Sequence, residues 1–309
     1  MTTLYVSHPS ALDHAMPAGH PERPARIRAV EQVLEDERYC TLVREQAPRA
    51  ELVVAELAHP AQYVDAIAQA APSDGFVQID SDTLMSPGTL AAVLHAMGGA
   101  VHAVDSVMRG ESANAFVAMR PPGHHAERAT AMGFCLFNHA AVAVRHARKA
   151  FGVSRVALVD WDVHHGNGSQ DIFWDDPDVM YASTHQMPLY PGTGASSERG
   201  AHDTIVNVPL KAYDDGAVFR EAFEAGILRR LEAFAPDLIV ISAGFDAHHL
   251  DPLANLRLDE SDFGWATRRV MEVADRHAGG RVVSVLEGGY DLEGLGRSVA
   301  AHVDALMGR

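Results

Sequence analysis

The sequence predicts an α/β fold, a mainly parallel, doubly wound sheet with helices on both faces. Three observations lead there. Short β-type runs alternate with helical stretches along the chain, the pattern of parallel strands joined by helical crossovers. Several runs are continuously apolar, as expected of strands covered on both faces. The polar motifs fall just past the C-terminal ends of these runs, where open α/β sheets place their ligands.

In chain order, the β-type run Leu4–Val6 precedes a helical stretch over Ala25–Glu37. Leu52–Ala55 reads as the next strand, followed by helices over Ala61–Ala70 and the long Gly88–Arg109. Strand Ala115–Ala118 leads to helix Asn138–Phe151, and the apolar run Val156–Asp160 follows. Val179–Ser183 and Thr204–Leu210 come next, then a helix over Asp215–Ala235. The apolar runs Leu238–Ser242 and Val282–Leu286 flank helix Glu260–Ala278, and a last helix covers Leu292–Leu306. No Ser/Gly linker or internal repeat divides the chain, so residues 1–309 read as one domain.

Composition narrows the function. An apolar content of 47% with 7% aromatic residues suits a packed core and argues against disorder. A net charge of −16 disfavours nucleic acid and is compatible with a cationic substrate. Two distant cysteines, Cys40 and Cys135, make no disulfide framework and fit a reducing compartment. The N-terminus lacks a basic segment followed by an apolar one, and no apolar stretch reads as long enough to cross a bilayer. The expectation is a cytoplasmic protein that engages neither nucleic acid nor membrane; an oligomer is compatible with the composition.

Three tandem histidine pairs carry the chemistry: His124-His125, His164-His165 and His248-His249. In an extended backbone Asp160, Asp162 and His164 share one side of a strand end. With Asp246, Asp162 and His164 make a three-ligand set with an open position, the pattern of catalytic zinc. Two carboxylates and one imidazole are a hard set, which makes ferrous iron a competitor. The bland alternative is an Asp-rich turn with a capping histidine; a carboxylate on a second strand end speaks for metal.

His124 and His125 suit general base and general acid, with Asp160 as the orienting carboxylate. Tyr290 follows two glycines, which permit close backbone approach, and its phenol suits an oxyanion donor; a packed turn aromatic is the plain alternative. Phe134 and Tyr190 are candidate channel walls. Cys135 reads as a small buried hydrophobe, His165 as a packing residue, and His248-His249 as extra ligands or helix-start residues.

These stretches together resemble the zinc-dependent histone deacetylase family, including its bacterial acetylpolyamine amidohydrolase relatives. The matching residues are Gly19-His20-Pro21-Glu22-Arg23-Pro24, Arg120-Pro121-Pro122-Gly123-His124-His125-Ala126, Gly133-Phe134-Cys135 and Val159-Asp160-Trp161-Asp162-Val163-His164-His165-Gly166-Asn167-Gly168. Tyr190-Pro191-Gly192-Thr193-Gly194, Ser242-Ala243-Gly244-Phe245-Asp246 and Leu286-Glu287-Gly288-Gly289-Tyr290 complete them. The resemblance implies an arginase-like α/β fold with a central eight-stranded sheet, and zinc on Asp162, His164 and Asp246. It implies hydrolysis of N-acyl amides by metal-bound water, with acetyl-lysine-type substrates foremost. It casts His125 as base then acid, His124 as its electrostatic partner backed by Asp160, and Tyr290 on the substrate carbonyl. The pattern is similar to the class II branch, where Asn167 stands in place of the class I aspartate. Family members also bind structural potassium, and Asp160, Asp162, His164, Ser183 and Thr184 match that pattern.

Two rival readings are weighed against it. A binuclear manganese ureohydrolase needs aspartates where this chain has Gly166 and His248. An inactive acetyl-lysine-binding module is disfavoured because His124, His125 and Tyr290 are all present. Within the deacetylase reading, acetylpolyamines and small amides are the alternative substrates. The polyamine-selective class II relative has glutamate where this chain has Leu253, so Leu253 is expected to favour acyl-lysine.

Overall fold

The computed structural model describes residues 2–309. The chain begins with β1 (Thr3–Ser7), α1 (Ser10–Asp13) and α2 (Ala25–Leu34), then β2 (Val43–Gln46), α3 (Ala61–Ala70), a small hairpin of β3 (Val77–Gln78) and β4 (Leu84–Met85), and α4 (Thr89–Met108). Its middle runs through β5 (Asn114–Val117), α5 (His139–Phe151), β6 (Val156–Asp160), α6 (Asn167–Phe173), β7 (Val179–Gln186) and β8 (Ile205–Leu210). It closes with α7 (Gly216–Ala222), α8 (Arg229–Phe234), β9 (Leu238–Ala243), α9 (Glu260–His277), β10 (Val282–Leu286) and α10 (Leu292–Leu306). Eight strands form one parallel sheet in the order β2-β1-β5-β10-β9-β6-β7-β8.

The central strands are apolar because both of their faces are covered. On β5, the Phe116 ring meets His302 of α10 while Val117 packs at Gly99 of α4, so neighbouring residues serve opposite helical layers. Local signals set the helix ends. The Asn138 side chain accepts the Ala141 N–H at 2.9 Å to start α5, and left-handed Gly152 ends it. Asp259 and Asp262 form a reciprocal capping box at the start of α9.

The expected strand at Leu52–Ala55 is instead part of a 3₁₀ helix, Leu52–Leu57, with i→i+3 bonds such as Val54 N–H to Glu51 O at 3.0 Å. The strand in that part of the sheet is β2, whose four residues are all exposed. An edge strand pairs on one side only, so its sequence need not be apolar. The stretch expected over Asp215–Ala235 divides into α7, a π-helical turn at Phe223–Leu228, and α8. The first long helix stops at Leu34, and Asp36 caps a separate 3₁₀ turn at Glu37–Tyr39. Contrary to the bilayer reading, α4 is long and apolar enough to cross a membrane by composition, but 67% of its most apolar window is buried against the rest of the molecule.

Candidate active site

β5, β10, β9 and β6 are four consecutive strands of the sheet, and the segments leaving their C-terminal ends carry His124-His125, Tyr290, Asp246 and Asp162-His164. The topology thus gathers residues from across more than half of the chain onto one rim.

Past Asp160 the chain is no longer an extended strand. Asp160 Oδ1 accepts the Asp162 N–H at 3.1 Å, and Asp162 Oδ1 accepts the His164 N–H at 2.9 Å. These successive aspartate turns put the alternate side chains on one side. Ligand atoms of Asp162, His164 and Asp246 lie within 4.8 Å of one another, and all three residues are buried. His164 Nδ1 is 3.2 Å from Asp162 Oδ1 and 3.1 Å from Asp246 Oδ2. One ring N–H cannot serve two buried carboxylates, whereas a divalent cation satisfies all three groups.

The outer oxygens are already committed: Asp162 Oδ2 accepts Gly288 N–H and Asp246 Oδ1 accepts Val163 N–H, both at 2.8 Å. A Cβ at Gly288 would fall 2.2 Å from Asp246 Oδ2, and one at Gly244 would fall 2.2 Å from Asp162 Oδ2. Glycine at both positions leaves the carboxylates room. Burial and the neighbouring Asp162 raise the Asp246 carboxyl above its ordinary value, the mark of two carboxylates sharing a site.

The two adjacent histidines occupy different environments. His124 Nδ1 donates to Asp160 Oδ2 at 3.1 Å, and the Tyr181 hydroxyl donates to the same oxygen at 3.1 Å. Burial opposes charge on His124, but Asp162 and Asp160 outweigh it and raise the ring to about 10. His125 Nδ1 lies 2.8 Å from Asn167 Oδ1. Burial, then His124 and His164, push His125 well below its ordinary value. The two adjacent rings are thus pushed in opposite directions, His124 toward its cationic form and His125 toward its neutral one.

Tyr290 is buried, its ring 4.8 Å from the Arg26 guanidinium carbon and 5.9 Å from the Phe134 ring. Burial raises its phenol well above the ordinary value, so it stays a donor near neutral pH. A cavity of about 200 Å³ brings together His125, His164 and Tyr290 with Phe134, Tyr190 and Leu253, all named from sequence. Leu189 and Asp82 line it as well. Neither sits in a motif, so the sequence offered no signal for them.

The positions that would carry ligands to a second metal are otherwise engaged. A Cβ at Gly166 would fall 2.3 Å from Asp160 Oδ2, so no aspartate fits there. His248 is a loop residue, neither ligand nor helix start; its Nε2 lies 3.4 Å from Glu260 and its Nδ1 accepts the Leu250 N–H at 3.2 Å. His249 Nδ1 lies 3.2 Å from the Leu258 carbonyl. His165 packs on Tyr181 and His185, with its ring nitrogens at Thr193 and Gln170. Cys135 is buried and directs its S–H to the Gly133 carbonyl at 3.2 Å. Asp160 and Ser183 are paired in register on β6 and β7, beside Thr184, and Ser183 Oγ lies 2.9 Å from His185 Nδ1.

Several supporting residues escaped the sequence reading. Glu287 Oε2 accepts the N–H groups of Gly123 and His124 at 2.7 and 3.2 Å, and its Oε1 accepts the Ser242 hydroxyl at 3.0 Å. The only signal was its place in Glu-Gly-Gly-Tyr. Arg26 reaches the carbonyls of Gly289 and Glu287 from α2.

Residues 20–306 match the family described as the histone deacetylase domain. The chain belongs to the histone deacetylase family. Among its relatives, histone deacetylase 10, chloroplastic, of Oryza sativa subsp. japonica is 37% identical, covering 99% of this chain and 73% of the relative. The histone deacetylase-like amidohydrolase of Pseudomonas aeruginosa is 38% identical over 88% of this chain and 73% of its own. The crystal structure of the HDA15 HD domain superposes with a TM-score of 0.94 at 33% identity, covering 100% of this chain and 89% of that one. As a histone deacetylase-family member, this protein is an enzyme, a hydrolase of acyl amides, in a family that is generally metal-dependent.

Proposed function

We propose that the enzyme hydrolyses N-acetyl-lysine-type amides with one zinc ion held by Asp162, His164 and Asp246. The observation that carries this reading is the cavity joining His125, His164 and Tyr290 to the walls Phe134, Tyr190 and Leu253. Apolar and aromatic walls suit the methylene stem of an acyl-lysine, with the amide at the polar end. Bound zinc supplies a Lewis acid that lowers the pKa of water from about 15.7 to about 7 and polarises a carbonyl. Ferrous iron suits the same donor set.

The neutral His125 ring takes a proton from the attacking water as the C–O bond forms. It returns that proton to the amine nitrogen as the C–N bond breaks. Cationic His124, held by Asp160, steadies the negative charge that builds nearby. The Tyr290 phenol donates to the carbonyl oxygen as it gains charge. The resemblance also supports potassium, a structural ion, at Asp160, Asp162, His164, Ser183 and Thr184, on the neighbouring ends of β6 and β7.

A cationic acetylpolyamine is the second reading, favoured by the Asp82 carboxylate in the cavity wall. The test is metal analysis together with turnover of an acetyl-lysine peptide. Near one divalent ion per chain is expected, and His125→Ala should lower kcat by about 10²–10⁴-fold at unchanged metal content. Two tightly bound manganese ions, both required, would sink the reading. If His124→Ala is dead while His125→Ala is near normal, the two roles must be exchanged.

A further inference from the structure

The hydrogen-bonded chain behind His125 does not end at Asn167. The Asn167 side-chain nitrogen lies 2.7 Å from Glu127 Oε1 and 3.3 Å from Met132 Sδ. A carboxylate and a thioether only accept, so both hydrogens of this amide are used by groups that cannot donate. The amide orientation is thereby fixed. Turned over, Asn167 would point its carbonyl oxygen at two acceptors. With the nitrogen held by Glu127, Oδ1 must face His125 Nδ1 at 2.8 Å, and an oxygen without a hydrogen can only accept. The His125 proton then sits on Nδ1, and Nε2 keeps its lone pair.

Glu127 is itself held in place. Its carbonyl lies 3.1 Å from His59 Nδ1, and His59 Nε2 accepts the Asn138 N–H at 2.9 Å. The Glu127 N–H donates to the Thr130 carbonyl at 3.0 Å. The ring on which the chain converges is fixed too: Gly133, at φ +58°, lies so close to His125 that a Cβ there would be 2.4 Å from the ring carbon next to Nε2.

We propose that Glu127 is a positioning residue that sets the tautomer of His125 through Asn167, leaving Nε2 free to accept a proton. Its use in turnover rests on the reading of His125 as the base; the tautomer itself does not. A neutral amide alone can present either end to an imidazole. Here a carboxylate one hydrogen bond further out removes that freedom.

The experiment records ¹⁵N shifts of the histidine rings in the full-length, zinc-loaded chain and in the metal-free chain, with the His125 signal assigned by its loss in His125→Phe. In the unsubstituted enzyme, Nδ1 should be the protonated nitrogen. Glu127→Gln keeps the shape but can donate as well as accept, so Asn167 is free to turn and the Nδ1–H population should fall. Turnover of an acetyl-lysine peptide by Glu127→Gln should fall about 10–100-fold in kcat, the usual cost of losing an outer orienting partner, with KM little changed. Adding Asn167→Asp to Glu127→Gln should restore the Nδ1–H form. The new carboxylate can only accept from His125, and the amide introduced by Glu127→Gln can donate to it.

A purely structural role for Glu127 would not be rescued in this way. An unchanged His125 tautomer in Glu127→Gln would overturn the proposal, whatever happens to turnover. A changed tautomer with unchanged kcat would uphold Glu127 as the positioning residue and refute His125 as the base.

Discussion

The Asp251 carboxylate accepts the backbone N–H of Tyr290 at 2.7 Å, and its second oxygen accepts that of Leu253 at 3.0 Å. One buried side chain thus ties the phenol at the reacting end of the cavity to the residue in its wall. The Arg26 Nε–H donates to the Gly289 carbonyl at 2.6 Å, and the guanidinium lies over the Tyr290 ring. Tyr290 is held by its backbone and its ring face, which leaves its hydroxyl free for substrate.

Asp251→Ala therefore removes the acceptor of three backbone N–H groups, those of Tyr290, Asp291 and Leu253, and a buried one left unsatisfied costs about 1–3 kcal/mol. The expected outcome is a folded enzyme of lower unfolding midpoint, with kcat reduced and inhibitors that fill the cavity bound less tightly. Denaturant unfolding and steady-state kinetics on one preparation check it. Unchanged kcat would mean that Tyr290 does not depend on this anchor.

Tyr290→Phe isolates the donor. The ring contacts to Arg26 and Phe134 are retained and only the hydroxyl is lost. Turnover should fall by about 10²–10³-fold, the cost of losing one oxyanion donor, while metal content and unfolding midpoint stay near those of the parent. An unchanged kcat on the best amide would refute the role given to the phenol.

How much of this was legible in the sequence follows from how local each signal is. Asp160-Trp161-Asp162-Val163-His164 and the His124-His125 pair are contiguous motifs, and their place after apolar runs assigns them to one rim. β2 was illegible because Val43-Arg44-Glu45-Gln46 lies at an exposed edge, where pairing rather than burial holds the strand. Leu52–Leu57 misled because an apolar run so short does not separate strand from 3₁₀ helix. Asp251, Glu127 and Arg26 act through partners 39, 40 and 263 residues away, and no spacing rule reads such bonds from one sequence.

Acid sensitivity should centre on a buried ion cluster next to the site. Glu22 accepts from Arg120 at 2.7 and 2.6 Å and from Arg26 at 3.2 Å, and it lies 3.2 Å from His14. Burial works against its charge, but Arg120 and His14 outweigh that and hold its carboxyl well below the ordinary value. A folded pKa below the unfolded one stabilises the protein above the unfolded pKa, about 4.3, and the gain fades as pH falls toward the folded value. Glu22→Gln should cost about 3–5 kcal/mol near neutral pH, because buried Arg120 loses its counter-charge. The gap between parent and variant should then narrow below about pH 4.3. Unfolding midpoints across pH 3–7 test this; a gap that does not change with pH would show that folding does not shift the Glu22 pKa, and one that moves the opposite way in acid would show that Glu22 is uncharged in the folded protein.

The substrate choice should turn on Leu253. Its side chain lines the cavity with Phe134 and Tyr190 and offers no charge, so a second ammonium facing it gains nothing to offset lost hydration. Asp82 in the same wall pulls the other way, but its Oδ1 already accepts the Gly133 N–H at 3.0 Å and the Thr83 hydroxyl at 2.9 Å. The parent enzyme is therefore expected to show a higher kcat/KM for acetyl-lysine peptides than for N-acetylspermidine. Leu253→Glu should shift that ratio toward the polyamine by about 2–5-fold, the worth of a partly exposed ion pair, and the shift should shrink as salt is added. Paired kcat/KM measurements at low and high salt decide it. A parent enzyme that already prefers acetylspermidine would show that the acids around the cavity, not Leu253, govern the selection.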